Sequence, residues 1–293
     1  MSAISESVSQ RMTLGMLQDR YGFELVPGFA KGVTVTSLAN DLESVAPGAL
    51  FMPGERIGMG VLAQAIQRGA YAVMLPPSMR NAVGECEVPV LFADPTSHEI
   101  GQLASLIAGQ PAESIAVFAI AGRDRQSVGE SVGMLADFLH MLGNPVGVIR
   151  NGDEQSLERF TDLRYPLDAF SMQRVLSVCV EDGASAVIIA MEDDTLAPGS
   201  LESVGVDVLG YDGREDKEEV EEMAGVLAER FGCVLDDETH LAVRSEETDL
   251  MAVQADIGLN KAKPLSLAIA MVLAAGVRKA NIRSALRVSR ELH

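Results

Sequence analysis

The chain has 293 residues, 47% of them hydrophobic and 22% charged, enough to build two cores and without any low-complexity tract. Its formal net charge of -19 works against binding nucleic acid or an anionic membrane, because either would bring like charges together. No apolar run is long enough to span a bilayer, and the start MSAISESVSQ has neither the basic nor the apolar region of a signal peptide, so a cytoplasmic protein is expected.

The first part alternates strands and helices. After a short amphipathic start, strands are predicted at Val33 to Ser37, Leu50 to Met52, Tyr71 to Leu75 and Val88 to Phe92, with helices at Gly60 to Arg68 and His98 to Ala108. This is a small α/β domain, residues 1–113, and Pro111-Ala112-Glu113 reads as the hinge after it.

The second part, residues 114–293, repeats strand and helix over a longer span. Strands are expected at Ser114 to Ala121, Val146 to Ile149, Ala186 to Met191 and Val206 to Tyr211, and helices at Glu130 to Leu142, Ala169 to Val180 and Lys217 to Phe231. The strands are continuous apolar runs, which suits a mostly parallel sheet covered on both faces, a Rossmann-like arrangement. Cys233 to Leu235 with His240 to Arg244 reads as a hairpin, and helices Pro264 to Ala275 and Lys279 to Leu292 follow.

Between the first strand and helix of this part, Gly122 to Gly129 reads as a polar turn. Strand, Gly-bounded turn and helix is the arrangement that aims backbone N–H groups at a phosphate. A phosphate loop of this kind ends in Gly-Lys-Ser/Thr, whereas this chain has Gly129-Glu130-Ser131, an acid where a cation is needed. The candidate phosphate-contacting residues are Gly122, Arg123, Arg125, Gly129 and Ser131, in a degenerate P-loop; the plain alternative is a strand-to-helix turn in which glycine relieves backbone strain. Glu192-Asp193-Asp194 sits at the carboxyl end of a predicted strand, where ligands of α/β sheets bind, and is either a weak metal candidate or a solvated loop.

Cys86, Cys179 and Cys233 are few and odd in number, which suits a reducing compartment, and Cys179 falls on an apolar helical face. His98, His140, His240 and His293 show no metal-ligand spacing. No catalytic residue stands out. Residues 192–256 carry 20 acidic against 4 basic side chains, while the last 33 residues carry 7 basic and 1 acidic. On the final helix Lys279, Arg283, Arg287 and Arg290 recur at helical spacing, as a solvated face or as a docking stripe for an acidic protein partner.

A family resemblance runs through these elements. Pro47-Gly48-Ala49-Leu50-Phe51, Gly54 and Ala65-Ile66-Gln67-Arg68-Gly69-Ala70 resemble the uridine-nucleotide-binding N-terminal domain of Mur ligases, the muramoyl-tripeptide synthetases above all. Ala121-Gly122, Val146-Gly147-Val148-Ile149, Pro166, Gln173-Arg174-Val175-Leu176 and the run from Leu267 to Val277 resemble their ATP-binding central domain. The resemblance implies an enzyme that forms an acyl phosphate with ATP and magnesium, then joins an amino acid to a nucleotide-linked sugar peptide.

Position by position the chain departs from that pattern. The loop's lysine falls on Gln126, Val128 or Glu130, the magnesium-binding glutamate on Ala190, and the carbamylated lysine close to Gly225. The Asp-His pair beside the nucleotide is missing near Gly213 to Lys217. The uridine-contacting Asp-Ser-Arg reads Asp41-Leu42-Glu43, and the histidine of the Gly-His pair falls at Met59. The loop is expected to be two residues longer than in the family, and the chain stops where the family's third domain would begin. The expectation is a Mur ligase-like protein of cell-wall precursor synthesis that has lost ligation, needs no cofactor and acts through binding. Two alternatives stay open: an active ligase using ATP and Mg with Arg123 or Arg125 in place of the lysine, and a uridine nucleotide-sugar binding module.

Overall fold

The computed structural model describes residues 12–54, 58–84, 86–152, 155–156, 159–160, 163–213, 216–255 and 258–292. His293, Arg214 and Glu215 lie outside the described residues, as does the side chain of Arg290. The chain forms two compact units, residues 1–110 and 111–293.

In the first unit β1 (Met12–Thr13) pairs antiparallel with β3 (Thr34–Val35), flanking α1 (Leu14–Tyr21). A five-stranded sheet runs β2 (Glu24–Val26), β7 (Val90–Phe92), β6 (Ala70–Leu75), β5 (Ala49–Phe51), β4 (Ser37–Ala39). Only β2 is antiparallel to its neighbour. Helices α2 (Met59–Gln67) and α3 (Ser97–Ile107) complete the unit, α3 starting at a Thr96–Glu99 capping box. The strand predicted from Val33 to Ser37 is divided between two sheets. Thr36 separates its halves: its N–H donates to Gly48 O, and its Oγ1 occupies the space where a Gly48 side chain would begin, 2.4 Å from an ideal Cβ. Gly48, at φ +91°, is glycine for both reasons. The Pro47-Gly48 and Gly69-Ala70 segments then join through Gly48 N–H to Gly69 O.

The second unit is a seven-stranded sheet between two helical layers. Its strands are β8 (Ala116–Gly122), β9 (Val146–Ile149), β10 (Gln155–Ser156), β11 (Arg159–Phe160), β12 (Ala186–Ala190), β13 (Val208–Asp212) and β14 (His240–Ala242), in the order β11-β10-β9-β12-β8-β13-β14. From β9 to β14 every pairing is parallel. Side chains alternate across β8: Phe118 and Ile120 enter one core, Val117, Ala119 and Ala121 the other. The first core is covered by α4 (Arg125–Met141), α7 (Glu246–Gln254), α8 (Ala262–Ala274) and α9 (Lys279–Leu292). The second is covered by α5 (Ala169–Glu181) and α6 (Lys217–Phe231). On α6, Val220, Leu227 and Phe231 are buried and Met223 packs beside them, as the spacing predicts.

Two expectations need correction. The hairpin of Cys233 to Leu235 with His240 to Arg244 does not form. Val234 bridges parallel to Gly205, and β14 pairs parallel to β13, so both segments follow the same neighbouring chain in one direction. Between them Asp236 makes an Asx turn, its Oδ1 accepting from Glu238 N–H and its O from Thr239 N–H, and this turn offsets the chain without reversing it. The polar turn from Gly122 to Gly129 is also mostly helix, because α4 begins at Arg125.

Candidate functional site

The carboxyl ends of the parallel strands gather the residues of interest, as the sheet topology dictates. β8 ends at Gly122 and only Arg123 and Asp124 separate it from α4. The loop is therefore shorter than expected. Asp124 is the N-cap: its carboxylate accepts from Ser127 N–H at 3.0 Å, and Ser127 Oγ donates to Asp124 O at 3.1 Å. The chain's own carboxylate thus holds a helix-start donor of the sort an incoming phosphate would use. An Asp N-cap ahead of Val128, Val132, Leu135 and Leu139 was the signal in the sequence that this helix starts early.

Both glycines of this stretch are explained by close approach. A Cβ on Gly122 would lie 2.7 Å from Val128 Cγ2 and 3.2 Å from Asp212 Cβ, so glycine lets α4 fold tightly against the strand ends. Gly129 is inside the helix, and the Arg150 guanidinium lies over it, 2.6 Å from where a Cβ would stand. Ser131 is buried, its Oγ 3.5 Å from Asp212 Oδ1.

Arg150, just beyond β9, is 16% exposed and links three elements. Its Nε donates to Glu192 at 3.3 Å and its Nη2 to Arg125 O at 3.1 Å. Arg125 in turn pairs with Asp194 at 2.6 Å and donates to Asn151 O at 3.2 Å. Asn151 closes the lattice with bonds to Thr195 Oγ1 and Asp194 O. Asp193 turns away to Arg230 at 2.5 Å. Glu192, Asp193 and Asp194 therefore meet three different arginines, and no group of three acidic, Cys or His side chains among the described residues could hold a metal ion. Burial pushes the Glu192 carboxyl above the usual carboxylate range, opposed by the Arg150 charge and reinforced by Asp194.

Beside this lattice lies an open cleft of about 650 Å³. Arg123, Arg244 and Lys263 line it with Glu130, Asp212, Asp216 and Glu219. Arg244 is anchored by two bonds to Asp249 Oδ1 and Oδ2, at 2.9 and 3.1 Å. Of the candidate phosphate residues, Arg123 lines this cleft, Arg125 enters the ion lattice, Gly122 and Gly129 sit at close contacts, and Ser131 is buried beside Asp212 of the cleft lining. Asn260, Lys263 and Arg244 were missed in the sequence because they come from separate elements brought together only by the fold.

The cysteines show no nucleophile. Cys179 and Cys233 are buried, and burial pushes the Cys233 thiol up to about 11. Native protein at neutral pH is expected to give one fast-reacting thiol with an aromatic disulfide reagent, Cys86, and all three only after unfolding. Rapid labelling of Cys233 in the folded chain would contradict that assignment.

Fold and site together define a two-unit α/β chain with an open cleft at the carboxyl edge of a parallel sheet. No protein-family model matches the chain. It is 28% identical over 246 residues to the UDP-N-acetylmuramoyl-L-alanyl-D-glutamate--2,6-diaminopimelate ligase of a Janthinobacterium strain, covering 76% of this chain and 47% of that protein. The ligase of the same name from Streptomyces coelicolor is 26% identical over 203 residues, 67% of this chain and 38% of the relative. Among solved structures, MurF from Acinetobacter baumannii superposes with a TM-score of 0.56 at 14% identity, over 94% of this chain and 67% of that one. The chain is thus similar to Mur ligases in sequence and shares their fold, and it spans less than half the length of these two curated relatives.

Proposed function

We propose that this Mur ligase-like protein works in peptidoglycan precursor synthesis by binding rather than by ligation. The observation that supports this reading is the strand-to-helix junction, with its two-residue loop, its N-terminal N–H taken by Asp124 and Gly129 covered by Arg150. An acyl-phosphate mechanism needs donors free to follow charge onto the transferred phosphoryl group, and at this junction the Ser127 N–H is committed to Asp124 instead. The acids that are weak candidates for magnesium are paired with arginines, so the residues present do not fit that ion. The basic face of α9 supplies a docking surface for an acidic protein partner.

Titration of the full chain with Mg-ATP by calorimetry is expected to give no heat of binding, and no phosphate should be released with muramoyl peptides and amino acids present. Clear micromolar binding would remove the main support.

A second reading draws on Arg123 and Lys263 in the open cleft, which could hold an anionic ligand without a phosphate loop. In that reading the cleft retains nucleotide, or the first unit retains a uridine nucleotide-sugar. A rise in melting temperature with uridine nucleotides but not with ATP would assign binding to the first unit. Phosphate release that disappears in Arg123→Ala with Arg125→Ala would restore the ligase.

A further inference from the structure

The unit formed by residues 111–293 carries one basic and one acidic helix face on opposite sides of a single sheet. On α9, Ile282 and Leu286 are buried in the first core, which leaves Lys279, Arg283 and Arg287 exposed at four-residue steps. Lys279 already meets Glu247 of α7, at 2.7 and 2.8 Å; Arg283 and Arg287 extend the stripe beyond that pair. On α6, Val220, Ala224 and Phe231 are buried in the second core, which leaves Glu218, Glu222 and Glu229 exposed. Gly225 and Val226 lie between these acids, and Val226 is 51% exposed. Glu218 and Glu222 repeat the four-residue step of the basic stripe, about 6 Å, and Glu229 lies seven residues further along. The middles of the two faces also match in relief, because Ala280 and Ser284 on α9 are small and exposed, and can approach the Gly225 and Val226 saddle.

Within one copy these helices cannot meet, since the seven-stranded sheet lies between the two cores. We infer that the acidic partner of the α9 face is the α6 face of a second copy of this chain. Donor and acceptor surfaces on opposite sides make the contact heterologous, so each added copy leaves one free face of each sign and assembly continues past the dimer. The net charge of -19 resists this at low salt. At physiological ionic strength the screening length is about 8 Å, so repulsion between distant acids is damped while facing side chains still attract. The inference rests on the α9 face being a docking surface and is independent of the cleft, so its failure would leave the nucleotide titration unaffected.

The test is sedimentation velocity of the full chain in physiological salt from low to high micromolar concentration, with two charge-reversed variants. The unmodified chain should grow steadily beyond a dimer. Arg283→Glu with Arg287→Glu, and separately Glu218→Lys with Glu222→Lys, should each weaken association on the order of a hundredfold by facing like charges. Mixed together they should assemble again, because each then offers what the other lacks, and this recovery also shows that both variants are folded. A monomer at every concentration, a discrete dimer that does not grow, or a mixture that stays apart would overturn the proposal. In the first case a different acidic protein is the occupant of the α9 face.

Discussion

Replacing Phe138 by alanine is expected to lower the stability of the 111–293 unit by about 4 kcal/mol, the largest loss of any single change considered. Phe138 is fully buried on the inner face of α4, where that helix packs against α8 over the sheet. Removing the ring forfeits its transfer from water and leaves a void that Leu135 and Leu139, themselves close-packed, cannot fill. Urea unfolding should show the transition midpoint falling with little change in slope. A loss below about 1 kcal/mol would mean that α4 is not packed as described, since core aromatic deletions at well-filled sites cost several times that.

The second large effect concerns the Arg150–Glu192 pair. Both side chains are mostly buried, 16% and 10% exposed, so removing either leaves its partner's charge poorly solvated. Glu192→Ala is expected to cost about 2 kcal/mol, less than for a fully buried pair because Arg150 keeps its bond to Arg125 O. Arg150→Ala should cost a similar amount, and the double variant less than the sum. Additive losses would show that the two side chains do not interact. Glu192 also has a pH signature. Its folded pKa is raised above the ordinary 4.5, so the folded state holds this proton more tightly than the unfolded chain does. Its contribution is therefore most favourable in acid and declines as pH rises from about the unfolded value through the higher folded one. Glu192→Gln should flatten that part of the stability profile.

The strands and most helices of both units were legible because their periods are strong. Val146–Ile149 as a strand, and Lys217–Phe231 and Lys279–Leu292 as helices, emerge with the expected bounds. Helix α7 was not legible. It buries Thr248, Met251 and Ala252 while exposing Leu250 and Val253, so its apolar residues do not mark its inner face. Its signals were the Ser245 cap and the acids Glu246, Glu247 and Asp249 in its first turn. The start of α4 was misread because two glycines outweighed the Asp124 cap. Those glycines answer to tertiary neighbours, Val128 and Asp212 for Gly122 and Arg150 for Gly129. Glycine at a tertiary contact and glycine in a turn look alike in one dimension. The same limit hid the three arginines that divide Glu192, Asp193 and Asp194, since a run of acids carries no sign of its partners.

The early start of α4 also bears on how this sequence could change. Val128 N–H is bonded to Asp124 O, and Gln126 and Glu130 bond to each other along the helix surface. A lysine placed at 126, 128 or 130 would join a backbone already wound, with its first turn turned inward on itself. A phosphate cradle would require unwinding that turn and drawing Val128, 1% exposed, out of the core. A single substitution would add a cation there and leave the path of the chain unchanged, so a phosphate cradle at this junction calls for a new backbone as well as a new side chain.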